Sequence, residues 1–425
     1  MKICVIGTGY VGLTTGTVLS DLGHDVYCVD NDRTKIEKLN EGKVPIYEPG
    51  LSALIDRNKK RGRLHFLSDI HYGIKECPII YITVGTPTNE DGSQNLTAIN
   101  DVIDSIGQSI HSHKTIITKS TVIPGTNEWI HQTLMEKGID SNMFDIVSNP
   151  EFLREGNALA DMLNPDKIVV GVKRQKPIET IKKLYAKIHA PYIITSLTGA
   201  EMIKYASNAF LATKISFMNE MARICDAYDV EISHIASALG RDKRIGPYFL
   251  HAGLGYGGSC FPKDVRALEY AAKQKDIIPE IVMAVQNVND SQINLYLEKL
   301  TNKLTNLNGK KISVWGLAFK PETDDTRESR SLLLIKKLLE KGAEIHAFDP
   351  IVQLSDPAIT VYEDMYEAVK ESDALIIATE WSQFKSVDWK KVKDFMKGNI
   401  LVDGRNIIDR NHVAGYQFHY IGVAR

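Results

Sequence analysis

Apolar positions in the first half of the chain fall into short runs, each followed by a longer segment of helical period. Ile3-Cys4-Val5-Ile6 predicts a buried strand from Lys2 to Ile6. A glycine turn comes next, then an apolar helix to about Leu22 with Gly23 as its stop, then a second strand from Asp25 to Asp30. Strand-like runs recur at Ile79–Val84, Thr115–Thr118, Asp145–Ser148 and Ile168–Val172, with helical stretches between them. Strands alternating with helices predict a parallel sheet covered on both faces.

From Gly199 the period changes. Glu201 to Tyr228 is one long helical pattern free of Gly and Pro, followed by helical segments at Glu231–Leu239, Val265–Lys273 and about Ile281–Leu304. At Lys311 the first pattern returns. Ile312-Ser313-Val314-Trp315-Gly316 reads as a strand ending in glycine, followed by a helix from Ser331 to Lys341, Gly342 and a strand ending at Asp349. The expectation is an α/β chain with two Rossmann-like parallel-sheet domains, 1–198 and 306–425, joined by an all-α central domain, 199–305.

Composition narrows the function. The 425 residues suffice for two or three domains. Hydrophobic residues make up 43% and charged residues 24%, which excludes a disordered chain. Lys+Arg number 51 against Asp+Glu 53, so the basic excess that grips nucleic acid is missing. No apolar run approaches the roughly 18 residues of a membrane span. Gly7-Thr8-Gly9 breaks the first apolar run too early for an export signal. Cys4, Cys28, Cys77, Cys225 and Cys260 have neither CxxC nor Cys/His spacing. They predict reduced thiols in the cytoplasm, with no disulfide framework and no metal site.

Gly7-Thr8-Gly9-Tyr10-Val11-Gly12 is a GxGxxG between a strand and a helix. The first glycine permits the tight turn, the second lets the backbone approach a pyrophosphate, and the third lets the helix pack closely. Free N–H groups at the helix start bind the phosphate charge. Asp30 ends the second strand, where a carboxylate accepts both ribose hydroxyls and repels a 2′-phosphate, selecting NAD over NADP. Arg33 and Lys35 nearby leave the phosphorylated cofactor open, and a Rossmann fold holding another nucleotide, or none, is the plainer alternative.

Gly255-Tyr256-Gly257-Gly258-Ser259-Cys260-Phe261-Pro262-Lys263-Asp264 is the most informative stretch. Glycines at 253, 255, 257 and 258 let a backbone wrap closely around a ligand. Pro262 suits the first turn of a helix, which puts Cys260 just before its N-terminus. The helix dipole and Lys263 both favour a thiolate there. An NAD site beside a nucleophilic cysteine points to oxidation beyond the aldehyde, because thiolate addition turns an aldehyde carbon back into a hydride donor.

Lys204 and Asn208 share one face of the long helix at i and i+4. They could hold an oxyanion; read alone, they fit a solvated helix face better. Asn149-Pro150-Glu151-Phe152-Leu153-Arg154-Glu155-Gly156 and Lys119-Ser120-Thr121 follow strands, where open α/β sheets place ligands. Glu151 there could activate a hydrolytic water.

With these motifs assembled, the chain resembles the UDP-glucose/GDP-mannose dehydrogenase family from end to end. The resemblance is carried by Gly7–Gly12, Lys119–Thr126, Asn149–Gly156, Lys204–Glu220, Arg244–Asp264, Phe319–Ser329 and Asp403–Arg405. It implies a four-electron oxidation in which UDP-glucose, two NAD and water give UDP-glucuronate and two NADH. By resemblance, Cys260 is the nucleophile of the second oxidation. Lys204 and Asn208 stabilise the oxyanion, Asp264 positions Lys204 and a water, and Glu151 and Thr121 orient the water that cleaves the thioester. Asp30 and Lys35 meet the cofactor ribose, Thr86 and Glu155 line its site, and Lys263 and Arg327 contact its phosphates or ribose.

For the sugar nucleotide, the resemblance implies contacts from Glu151, Phe152, Leu153, Arg154 and Glu155. Phe249, Leu250, His251, Ala252, Gly253 and Gly257 wrap the ligand, and Phe319, Lys320 and Arg405 close over it. Arg244 matches an arginine that reaches a neighbouring subunit's substrate, implying a homodimer. The segment Arg244–Leu250 with Gly255-Tyr256-Gly257 is similar to the branch that takes UDP-glucose. The alternatives are the same chemistry on GDP-mannose or a UDP-N-acetylhexosamine, a two-electron hydroxyacid dehydrogenase, and a nucleotide sensor without catalysis. One departure is Ile123, where the family pattern has a first proline before Pro124.

Overall fold

β1 (Lys2–Ile6), β2 (Asp25–Val29), β3 (Leu64–Leu67), β4 (Ile79–Ile82), β5 (Lys114–Thr118), β6 (Phe144–Ser148), β7 (Ile168–Val172) and β8 (Tyr192–Thr195) form one sheet. Its order is β3-β2-β1-β4-β5-β6-β7-β8. The computed structural model describes every residue from Met1 to Arg425. It divides into one unit of Met1–Ser207 with Arg266–Asp276 and a second of Asn208–Val265 with Ile277–Arg425.

In the first unit, strand order reverses between β1 and β4, the arrangement of a dinucleotide-binding fold. Ile3 and Val5 of β1 join the core on one side of the sheet, Cys4 and Ile6 the core on the other. From Ile3 to Ile6 the strand has no polar position and no face to give to water, so helices cover both.

The expected parallel sheet has one exception: β7 runs antiparallel to β6, pairing Val147 with Val172, and β8 then runs parallel to β7. The connection from β6 to β7 holds only a six-residue helix, Ala158–Leu163. Asn149, the residue after β6, donates to the Val169 carbonyl 2.8 Å away, near the start of β7. β7 therefore begins at the edge where β6 finishes, and it has to run back.

The second unit carries β9 (Lys311–Trp315), β10 (Glu344–Phe348), β11 (Ile359–Tyr362), β12 (Ala374–Ile377), β13 (Ile400–Asp403) and β14 (His419–Ile421). Their order, β11-β10-β9-β12-β13-β14, repeats that of the first six strands with every pair parallel. Again alternate residues serve two cores, Ile312 and Val314 on one face and Trp315 on the other.

The long helix spans Leu197–Tyr228, so it starts earlier than the Gly-free pattern and takes in Gly199. The helix after Cys260 covers Phe261–Lys273, four residues longer at its start than the apolar period indicated. A third long helix is Glu280–Leu304. No helix is long and apolar enough to cross a membrane.

Candidate active site

The glycine turn meets the steric demands of a dinucleotide. Gly7 has φ +98°, and a Cβ there would lie 2.9 Å from the Thr83 carbonyl oxygen. A Cβ on Gly12 would lie 1.8 Å from the Gly7 carbonyl, so helix and turn can pack only with glycine. At Gly9 no atom lies within 4 Å of the Cβ position. The space is open where a pyrophosphate would meet the first N–H groups of the helix Tyr10–Asp21. The residues fit NAD.

Asp30 follows β2 and is buried. Its Oδ2 accepts the Thr8 amide (2.8 Å), the Thr8 hydroxyl (2.7 Å) and the Lys35 ammonium (3.0 Å), while Oδ1 accepts the Asp32 amide at 3.0 Å. Burial pushes its pKa up, but the Thr8 hydroxyl, the two amides and Lys35 outweigh that and hold it below the ordinary value. Asp30 is thus a fixed anion tied to the glycine turn, with Lys35 alongside.

The strand ends beyond β4 and β5 are cross-linked. Thr86 donates to the Thr121 carbonyl at 2.8 Å, and Gln94 donates to the same carbonyl at 2.7 Å while accepting the Ile123 amide at 2.9 Å. Ser120 donates to the Val84 carbonyl at 2.7 Å. Thr86 and Thr121 are therefore brought together, and Gln94 is the residue that sets the turn between them.

Glu151 and Lys204 meet in the buried interior, Nζ donating to Oε1 at 2.7 Å. Glu151 Oε2 accepts the Leu153 amide at 2.5 Å, which folds the loop back on the carboxylate. The Phe152 ring lies under two ammoniums, Lys167 at 4.7 Å and Lys204 at 5.4 Å. Burial raises the Glu151 carboxyl, yet Lys204, the Leu153 amide and Lys119 together hold it below its usual value. Burial pushes the Lys119 ammonium down to about 8, with Glu151 raising it and Lys204 lowering it. Arg154 forms a two-pronged pair with Asp161 at the surface, and Glu155 is buried.

Both polar residues on the long helix are buried: Lys204 is 3% exposed and Asn208 5%. The solvated-face reading does not hold. Tertiary packing covers that face, which helical period alone could not reveal. Asn208 donates to Asp264 Oδ2 at 2.6 Å, and Lys263 pairs with Oδ1 of the same carboxylate.

Cys260 directly precedes the helix Phe261–Lys273, and its carbonyl accepts the Asp264 amide at 2.9 Å as the first helical bond. It is the one partly exposed cysteine of five. Burial pushes the Cys28 and Cys77 thiols up to about 12 and Cys4 well above its usual value, so these three carry no thiolate near neutrality.

The loop before Cys260 is held by buried amides. Asn219 accepts the Gly253 amide at 2.8 Å and Gln292 donates to the Gly253 carbonyl at 2.9 Å. Asn289 pairs with the amide (2.8 Å) and carbonyl (3.2 Å) of Tyr256, and buried Arg330 donates to the Asn289 carbonyl. The glycines here answer to protein packing. A Cβ would lie 2.8 Å from the Gly404 carbonyl at Gly253, 2.2 Å from the Glu328 carbonyl at Gly257 and 2.6 Å from the Phe319 ring at Gly258. Arg405 donates to the Ala378 carbonyl (2.8 Å), and more weakly to those of Phe319 (3.3 Å) and Gly255 (3.4 Å). Lys320 stands 5.7 Å from the Phe319 ring, and Arg327 pairs with Asp325. Phe249 has φ +62°, Leu250 and Ala252 are buried, and His251 is exposed.

The second sheet offers no equivalent dinucleotide turn. Gly316 stands alone there, and a Cβ on it would lie 2.4 Å from Thr379. Asp349, the counterpart of Asp30, accepts the amides of Leu317 (2.7 Å), Ala318 (3.2 Å), Ile351 (3.0 Å) and Val352 (3.0 Å). That carboxylate is committed to these four amides, with the Trp381 indole N–H 3.4 Å from Oδ2.

Several site residues escaped sequence reasoning: Glu48, Gln94, Asn219, Asn289, Gln292 and Arg330. Asn219, Asn289 and Gln292 did carry a signal, an amide on the core side of a helical period. Glu48 and Gln94 sit in connections without regular period and carried none.

An open glycine turn and a fixed aspartate in the first of two nucleotide folds define a dinucleotide-binding protein. The chain belongs to the UDP-glucose/GDP-mannose dehydrogenase family: the family's NAD-binding domain matches residues 1–189, its central domain 198–291 and its UDP-binding domain 313–410. It is an NAD-dependent dehydrogenase. YtcA of Bacillus subtilis, named provisionally as a UDP-glucose 6-dehydrogenase, is 50% identical over the whole of both chains. The UDP-glucose dehydrogenase of Pyrobaculum islandicum is 35% identical with a TM-score of 0.93, covering 100% of this chain and 97% of that one. The UDP-D-ManNAc dehydrogenase of Pyrococcus horikoshii is 27% identical with a TM-score of 0.91, covering 100% and 99%.

Proposed function

We propose that the chain oxidises UDP-glucose to UDP-glucuronate by four electrons through a covalent bond to Cys260. The observation that carries this is the partly exposed Cys260 at the start of a helix, beside a glycine loop pressed against the second nucleotide fold. The C6 alcohol gives up a hydride and a proton to become an aldehyde. The Cys260 thiolate adds to that carbon, and the thiohemiacetal gives up a second hydride and its hydroxyl proton to become a thioester. Water then adds, the C–S bond breaks, and a carboxylate leaves with the thiolate restored. Bound NAD accepts one hydride in each oxidation.

Lys204 and Asn208 hold the developing oxyanion from adjacent turns of one helix. Asp264, which accepts from Asn208, positions Lys204 and a water, and Glu151 with Thr121 orients the water that cleaves the thioester. Asp30 and Lys35 hold the ribose, Thr86 and Glu155 line the cofactor site, and Lys263 and Arg327 meet its phosphates or ribose. Phe249–Gly253, Gly257, Phe319, Lys320 and Arg405 enclose the UDP-sugar, with further contacts from Glu151–Glu155. The division at 198 and 305 is supported by the long helix beginning at Leu197 and by β9 beginning at Lys311.

A homodimer completes the reading. Phe210 (66% exposed), Phe217 (47%) and Ile224 (46%) recur every seven residues on the long helix, an apolar stripe suited to a second copy. The Arg244 side chain, 88% exposed, is free to extend to the partner's substrate by giving up its pair with Asp242. Five unlinked cysteines support action in the reducing cytoplasm.

The test is the ratio of NADH formed to UDP-glucose consumed, expected to be two, with Cys260→Ser unable to form the acid. A ratio of one with free aldehyde, or full oxidation by Cys260→Ser, overturns the mechanism. Similarity to a UDP-D-ManNAc dehydrogenase favours one alternative, a UDP-N-acetylhexosamine as substrate. A turnover screen of UDP-glucose, UDP-galactose, GDP-mannose and UDP-N-acetyl sugars separates them.

A further inference from the structure

Glu48 lies in the connection between the helices Arg33–Asn40 and Leu51–Lys60, yet it is buried. Its Oε2 accepts the Tyr10 hydroxyl and the Gly156 amide, the latter at 2.7 Å, and Oε1 accepts the Leu159 amide at 3.3 Å. The Gly156 amide also stands 2.7 Å from the Tyr10 hydroxyl oxygen. Tyr10 opens the helix beside Gly9, where the Cβ position is empty and a pyrophosphate fits. Gly156 closes the segment that begins at Asn149 and carries Glu151 and Glu155.

We propose that Glu48 is a positioning residue that locks the 149–156 loop to the first turn of the cofactor helix. The inference rests on the dehydrogenase reading and adds a residue that neither oxidation consumes. Two hydride transfers require the cofactor site to empty once while the sugar stays attached. A loop held by the cofactor would loosen at that moment; one held by Glu48 keeps Glu151 and Glu155 in place through the exchange. A carboxyl group suits the task, because its two oxygens accept from several donors at once. Glutamine would turn an N–H against either the Gly156 or the Leu159 amide.

The experiment compares wild type with Glu48→Gln in three measurements. These are NADH binding without sugar by nicotinamide fluorescence, deuterium exchange of the peptide spanning residues 149–163, and NADH formed per sugar consumed. Expected for Glu48→Gln are roughly tenfold weaker NADH binding, at least about tenfold faster exchange in that peptide, and a ratio below two. Unchanged NADH affinity overturns the proposal, including the case in which exchange alone quickens, since a plain loop anchor would do that. If Glu48→Gln fails to fold by circular dichroism, Tyr10→Phe removes one leg of the network and is expected to shift the same quantities less. No effect there overturns it too. A wild-type protein that bound no NADH would instead refute the dehydrogenase reading.

Discussion

Lys204 Nζ and Glu151 Oε1 stand 2.7 Å apart with both side chains at or below 5% exposure. Removing one partner leaves the other charged and buried, so Lys204→Met should cost about 3 kcal/mol or more of stability. In the wild type, Glu151 contributes fully above the unfolded glutamate value of 4.5, and the contribution is lost as pH falls through its lower folded value. The variant should lose that acid-side slope, and kcat should fall by roughly 10²–10³ if Lys204 holds the oxyanion. Equal kcat in wild type and variant would remove Lys204 from the chemistry.

Lys119 carries the opposite economy. Between pH about 8 and the unfolded value of 10.5, the unfolded chain binds one more proton than the folded chain, so stability rises with pH across that window. At neutral pH both states are charged, and the folded one bears the burial cost, about 3 kcal/mol. Lys119→Met should raise the thermal midpoint at pH 7 and flatten the rise from pH 8 to 10.5. Midpoints of wild type and variant that run parallel across the window would contradict this.

Gly257 has no room for a side chain, since the Glu328 carbonyl oxygen lies 2.2 Å from where Cβ would be. Gly257→Ala has to displace one backbone or the other, and a destabilisation of about 1–3 kcal/mol is expected. Because the loop runs on to Cys260, the loss should appear as a higher KM for the sugar nucleotide with NADH binding intact. Steady-state kinetics beside NADH titration separates the two.

Phe217 stands in the middle of the apolar stripe on the long helix. Phe217→Glu places a charge there and should weaken a homodimer by more than about tenfold. Light scattering after size exclusion reads the mass directly. A wild type already monomeric at micromolar concentration would refute the dimer, and with it the role given to Arg244.

The apolar runs of β1 and β9 and the turn Gly7–Gly12 were legible because strand period, glycine sterics and the strand-end carboxylate are local properties. So was the placement of Cys260 before a helix, since Pro262 fits only a first turn. The direction of β7 was not legible. It depends on where the short segment after Asn149 leaves the chain relative to the sheet. The burial of Lys204 and Asn208 was hidden for the same reason, as a lysine and an asparagine four apart look solvated until other elements cover them.

Sequence by itself thus determined two nucleotide folds, their order, the cofactor turn and the place of Cys260 ahead of a helix, each written in neighbouring residues. Only the tertiary structure decided that Glu48 ties Tyr10 to Gly156, that Lys204 meets Glu151 in the interior, and that Asn289 clasps the Tyr256 peptide. These are contacts across dozens of positions, set by which polar groups are left facing each other once water is gone. Burial creates the need for a partner, and the fold alone supplies it.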